Sequence, residues 1–85
     1  FFWSEIAQKG QLWGNRALGN KVNVTNRFWF SYPGYNEILT GRSDGRINSN
    51  NKMPNPNITI LEYLNQQPAF KGKVAAFGSW DVFPY

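Results

Sequence analysis

Apolar and polar positions change rhythm several times along the chain. In FFWSEIAQKG, Phe2 and Ile6 fall on one helical face and Gly10 can stop the chain turning, which predicts a short helix over residues 2–9. QLWGNRALG is too broken by glycine for a helix, and KVNVTNRFWF sets Val22 and Val24 against Asn23 and Thr25 in the period of a half-buried strand. Short extended segments, or a hairpin around Gly19-Asn20, are expected there. After Ser31-Tyr32-Pro33-Gly34 the pattern becomes helical, with Pro33 tolerated in a first turn and Gly41 able to close the last. Residues 42–57, rich in Asn, Gly, Ser and Pro, predict a loop too long for a mere connector. ITILEYLNQQ spaces Ile58, Leu61 and Leu64 at helical intervals behind Asn57, a suitable N-cap. The run VAAF then reads as a strand buried on both faces, followed by a Gly-Ser-Trp-Asp loop. Helix, turn, buried strand and loop make half of an α/β unit, so the expected fold class is α/β.

Composition narrows the chemistry. Eighty-five residues allow one domain at most and a thin core, yet 41% hydrophobic and 16% charged residues are not the signature of a disordered chain. With no cysteine and no histidine, disulfides, thiolate sites and imidazole ligands are excluded. The five carboxylates, Glu5, Glu37, Asp44, Glu62 and Asp81, are scattered singly, and no pair has a ligand-like spacing. The net charge is +4, but the basic residues are spread along the chain, so no nucleic-acid partner is expected. No run reaches the roughly 20 apolar residues of a membrane span. Because the chain opens on Phe1-Phe2-Trp3 and closes on Phe83-Pro84-Tyr85, residues 1–85 are expected to be a partial single domain, an interior piece of a larger one.

Among the candidate residues, Ser31 reads in two ways. Serine is a preferred helix N-cap. The same position offers unpaired N–H groups and a partial positive charge, which favour an anion and an ionised hydroxyl, so the serine could instead attack phosphorus or sulfur once something activates it. The tryptophans are expected mostly in the core, except Trp80, which with Asp81 follows the expected buried strand and can line a pocket at its carboxyl end. Arg42 and Arg46 are expected to be solvated charges, or else holders of a substrate's anionic group.

Ser31-Tyr32-Pro33-Gly34-Tyr35, followed by Ile38-Leu39-Thr40-Gly41, resembles the nucleophile segment of the alkaline phosphatase superfamily, in particular its phosphodiesterase and phosphatase branches and their phosphoglyceromutase-like members. In those a Thr or Ser stands two residues before a proline at a helix start that runs into Thr-Gly. The resemblance implies a fragment of a three-layer α/β/α sandwich. It also implies a metal-dependent hydrolase that cleaves phosphate mono- or diesters through a phosphoseryl intermediate, with a small-molecule phosphate ester as partner. Ser31 would be both nucleophile and ligand of one of two divalent metal ions, zinc foremost, whose remaining ligands lie outside these residues.

Gly45-Arg46-Ile47 and Asn51-Lys52-Met53 resemble the family stretch whose asparagine holds phosphoryl oxygens, which makes Asn51 the first candidate and Asn50 the second. The N–H groups after Ser31 would join them. KVAAFGSWDVFPY and SEIAQKGQLWGN are also similar to this group, and the resemblance favours a bacterial periplasmic setting. The family's Asp and His ligands have no match here, so these residues alone are expected to be inactive. A sulfatase signature is also similar, but Tyr35 stands where that signature has Arg, so unmodified serine and phosphoryl chemistry are expected. From another class, a small non-catalytic module, basic and aromatic, could grip a glycan or single-stranded nucleic acid by stacking.

Overall fold

A computed structural model describes residues 1–85. In chain order it has a π-helical turn at Phe2–Ala7, a 3₁₀ turn at Arg16–Leu18, helix α1 at Ser31–Thr40 and helix α2 at Ile60–Gln66. There is no strand and no sheet, which overturns the α/β expectation and with it the reading as part of an α/β/α sandwich.

The physical reason is visible at both expected strands. A strand is completed by a neighbour that takes its ladder hydrogen bonds. At Val22–Asn26 the N–H groups of Thr25 and Asn26 go instead to the Glu37 carboxylate, at 2.7 and 2.6 Å. The expected hairpin at Gly19-Asn20 is replaced by the 3₁₀ turn, which Gly19 closes at φ 76°. At Val74–Phe77 no partner segment lies alongside, and Phe77, expected to be buried, is 97% exposed.

The helices form for local reasons. In α1, Pro33 occupies the first turn, where a missing N–H costs nothing, and Gly41 ends the helix at φ 75° with its N–H on the Glu37 carbonyl. In α2 the cap is Thr59, not Asn57: the Thr59 N–H donates to Glu62 at 2.7 Å and the Glu62 N–H donates back to the Thr59 hydroxyl at 3.5 Å, a capping box. Neither helix is long and apolar enough to cross a membrane.

The apolar core is small, consisting of Tyr32, Ile47 and Val82 with Trp80 packed against them. The radius of gyration, 15.7 Å, exceeds the roughly 12 Å of a compact chain of this length, and only 7 residues are buried. Trp3, Trp13 and Trp29, expected in the core, are exposed.

Much of the cohesion is polar. Asn36, on the inner face of α1, is 2% exposed; its Oδ1 accepts from Asn55 Nδ2 at 3.0 Å and Asn57 Nδ2 at 3.2 Å, and its Nδ2 donates to the Arg42 carbonyl at 3.1 Å. Asn57 Nδ2 also donates to Asp44 at 2.9 Å, and Asp44 pairs with the Arg46 guanidinium. These bonds fold the long loop back on α1 and seat Ile47 beneath Tyr32.

Two carboxylates in this framework titrate low. Asp44 is held well below the usual range, chiefly by the Arg46 guanidinium and N–H and by Asn57. Glu37 is held down chiefly by the Thr25 N–H, with Asn26 adding to it against a smaller opposing effect of burial. A carboxylate depressed in the folded state adds stability above its unfolded value and loses it as pH falls through the folded one. The melting temperature is therefore expected to be flat from neutral pH down to about pH 5 and to drop below about pH 4. Circular dichroism melts across that range check it, and an acid-insensitive melt would contradict it.

Candidate functional site

The approach to Ser31 is built by two side chains. Glu37 accepts the Asn26 Nδ2 and N–H, both at 2.6 Å, which pins Asn26 beside α1. Asn26 Oδ1 then accepts the N–H groups of Phe28 and Trp29, each at 3.0 Å, forming an Asx turn. Within that turn Trp29 takes φ 57°, a left-handed conformation that a bulky side chain adopts at a cost, and its ring is 83% exposed. Phe30 returns to extended backbone and Ser31 opens the helix. Trp29→Gly is expected to melt no lower than the native chain, while Trp29→Val, β-branched in the same conformation, should lose about 1 kcal/mol. Paired thermal melts decide; a glycine variant that melts lower would show that the ring itself contributes to stability.

Ser31 is not the helix cap. Phe30 holds that position and makes no side-chain capping bond. The side-chain acceptor at this end comes from 18 residues downstream, where Asn50 Oδ1 accepts the Tyr32 N–H at 2.9 Å. With its oxygen on the N–H of the residue after Ser31, Asn50 keeps its Nδ2 without a partner in the chain. The Ser31 hydroxyl is exposed and engaged in no hydrogen bond.

This geometry revises the expected anion donors. Of the N–H groups after Ser31, that of Tyr32 is occupied by Asn50, Pro33 has none, and that of Gly34 bonds the Phe30 carbonyl at 3.2 Å. The donors left at the helix start are the N–H of Ser31 itself and the amide of Asn50. Asn51, the first-ranked asparagine, is exposed; its main chain bonds Ser49 and Met53, and no bond joins its side chain to α1. The structure thus brings Ser31 and Asn50 together.

Trp80 and Asp81 lie elsewhere. Both line a groove of about 830 Å³ between α1, α2 and the C-terminal residues, and Ser31, Asn50 and Asn51 do not line it. Asp81 pairs with Lys52, which ties this segment to the loop carrying Asn50. The Asn55 N–H donates to the Tyr85 carbonyl at 2.6 Å and makes a second tie. Burial pushes the Tyr32 hydroxyl above its ordinary range, and at 2.7 Å it donates to the Met53 carbonyl, so it is structural. Arg46 is paired with Asp44 through Nε and Nη2, and its side chain stays largely exposed.

The five carboxylates are all committed. Glu5 pairs with Lys9, Glu37 holds Thr25 and Asn26, Asp44 holds Arg46 and Asn57, Glu62 closes the capping box, and Asp81 pairs with Lys52. No three carboxylate side chains gather. None of these carboxylates joins Ser31, so these residues by themselves form no metal-binding group.

Sequence reasoning passed over Tyr35 and Phe83 as site residues. Tyr35 lies one helical turn beyond Ser31 and packs with Trp80 and Phe83, at ring-centroid distances of 6.1 and 5.1 Å. The i, i+4 spacing of Ser31 and Tyr35 was the available signal. No protein-family model, curated protein or solved structure matches the chain.

Proposed function

We propose that this chain carries the nucleophile of a phosphohydrolase acting on phosphate mono- or diesters, with Ser31 as the attacking group. The observation that supports it is the division of labour at the start of α1. Asn50 supplies the capping acceptor that a serine would ordinarily provide, which leaves the Ser31 hydroxyl exposed and unbonded at the positive end of a helix. A hydroxyl with no structural duty in that position is suited to attack an anionic ester.

The chemistry balances as two transfers. Ser31 Oγ forms a bond to phosphorus as the ester P–O bond breaks, and the serine proton leaves with the departing alcohol. Water then attacks the phosphoseryl group, restoring the hydroxyl and releasing phosphate, or a phosphomonoester from a diester. The Asn50 amide and the Ser31 N–H, both donors, are the groups that would stabilise the charge gathering on equatorial oxygens. Divalent ions are what the resemblance would add, with ligands other than Ser31 supplied from outside these residues, and no step here is assigned to them.

Hydrolysis of aryl phosphate monoesters, aryl phosphate diesters and aryl sulfates by the full-length protein, with zinc and with chelator, tests the reading. Turnover of a phosphate ester, with the sulfate left intact, is expected. Turnover of the sulfate alone would contradict phosphoryl chemistry, and turnover of none would remove the hydrolase reading.

A further inference from the structure

The groove beside α1 does not include the serine, but it is lined by residues on the same helix within one to two turns of it. Ser31, Tyr35 and Ile38 follow one another at i, i+4 and i+7 and form a single ridge along the helix. The last two line the groove, as does Tyr32 in the first turn. A helical side chain leans toward the turn before its own Cα, which for Tyr35 is the turn that holds Ser31. Tyr35, Trp80 and Phe83 form a three-ring cluster, with Trp80 and Phe83 edge to face at 6.1 Å.

Tyr35 and Phe83 remain partly open to solvent, with 42% and 45% exposure, so the cluster still offers aromatic surface to a ligand. The volume, about 830 Å³, is within the range of small-molecule pockets. Gly78 makes room for the third ring: a Cβ there would lie 2.5 Å from Phe83 Cδ2, so any larger residue displaces the ring.

The direction of attack decides which part of a substrate reaches this surface. In-line displacement places the leaving group opposite Ser31 Oγ, beyond phosphorus and away from the helix. A substituent on an equatorial position stands across that line and can lie back along the ridge. From this we infer an aromatic subsite, formed by Tyr35, Trp80 and Phe83, for the non-leaving substituent of a phosphodiester or phosphonate monoester. The inference rests on Ser31 being the nucleophile, and it narrows the substrate class to esters that keep an aromatic group on phosphorus after the alcohol departs.

The test uses two esters with the same leaving group, the 4-nitrophenyl esters of phenylphosphonate and methylphosphonate, on the full-length protein. Each variant is compared with the native protein on both, so the intrinsic reactivity of the esters cancels. The native protein is expected to favour the phenyl ester in kcat/KM by about tenfold over its chemical reactivity, and Tyr35→Ala and Gly78→Ala to bring that preference close to one. Tyr35→Leu, which keeps volume without a flat ring, should lose most of the preference and guards against a misfolded alanine variant. No preference in the native protein, or one that survives both Tyr35→Leu and Gly78→Ala, overturns the subsite.

Calorimetric binding of phenylphosphonate and methylphosphonate to Ser31→Ala separates the two readings. A phenyl preference in binding that is retained without the hydroxyl, with turnover lost, supports both. Turnover retained in Ser31→Ala overturns the nucleophile, and the subsite is then decided by whether Tyr35→Leu removes the binding preference.

Discussion

Ser31→Ala is expected to lower phosphate ester hydrolysis by at least about 10³-fold while leaving the fold and the melting temperature unchanged. Both halves follow from one arrangement. The hydroxyl accepts and donates no hydrogen bond within the chain and is exposed, so its removal leaves no buried group unpaired. Loss of a capping serine would cost about 1 kcal/mol, and that penalty belongs here to Asn50, whose Oδ1 accepts the Tyr32 N–H. Asn50→Ala should therefore destabilise by about 1 kcal/mol and also slow turnover, because it removes both the cap and the free amide beside the serine. Thermal melts and initial rates on the pair separate the roles. A Ser31→Ala protein that melts lower and still hydrolyses would return the serine to a structural part.

The largest effect on stability is expected from Asn36. Asn36→Ala removes the acceptor shared by the Asn55 and Asn57 amides and the donor to the Arg42 carbonyl, in a position that is 2% exposed. Asn55 Nδ2 loses its only partner, while Asn57 keeps Asp44 and the Arg42 carbonyl keeps the Thr40 hydroxyl; with one group orphaned, two bonds lost beside it and a cavity opened, a loss of about 2–3 kcal/mol is expected. With so small an apolar core, that is a large share of what holds loop 42–57 against α1. Asn36→Leu keeps the volume and should be nearly as destabilised, which distinguishes lost hydrogen bonds from a cavity. Denaturant titration measures both, and a leucine variant as stable as the native chain would show that the network is dispensable.

What the sequence made legible was local. Pro33 and Gly41 bracket α1 because each acts on its own backbone, and the Ile60–Gln66 helix was visible in its spacing. Its cap was placed on Asn57 because asparagine and threonine cap alike; the choice fell to Thr59 because Asn57 was already taken by Asn36 and Asp44.

Pairings over distance were not legible. Alternation at Val22–Thr25 and the apolar run Val74–Phe77 announce residues willing to be strands, but a strand also needs a neighbour, and in this chain the Glu37 carboxylate took the Thr25 and Asn26 N–H groups. Burial of the tryptophans failed for a related reason, since an apolar side chain does not name what covers it.

The motif singled out Ser31 as a candidate, while which of Asn50 and Asn51 lies against the start of α1 turned on one residue of loop length that spacing cannot resolve. Only the bond from the Tyr32 N–H to Asn50 separates them. Tyr35 was passed over because its partners, Trp80 and Phe83, come from the far end of the chain.

The most direct measurement of the central claim is to mix the full-length protein with a turning-over aryl phosphate ester, quench with acid during the reaction, and map covalent phosphate by peptide mass spectrometry. Phosphate on the peptide that contains Ser31, absent when the quench precedes substrate and absent in Ser31→Ala, is the predicted result. Hydrolysis that proceeds with no phosphate on that serine at any quench time, under conditions that preserve phosphoserine, would contradict it.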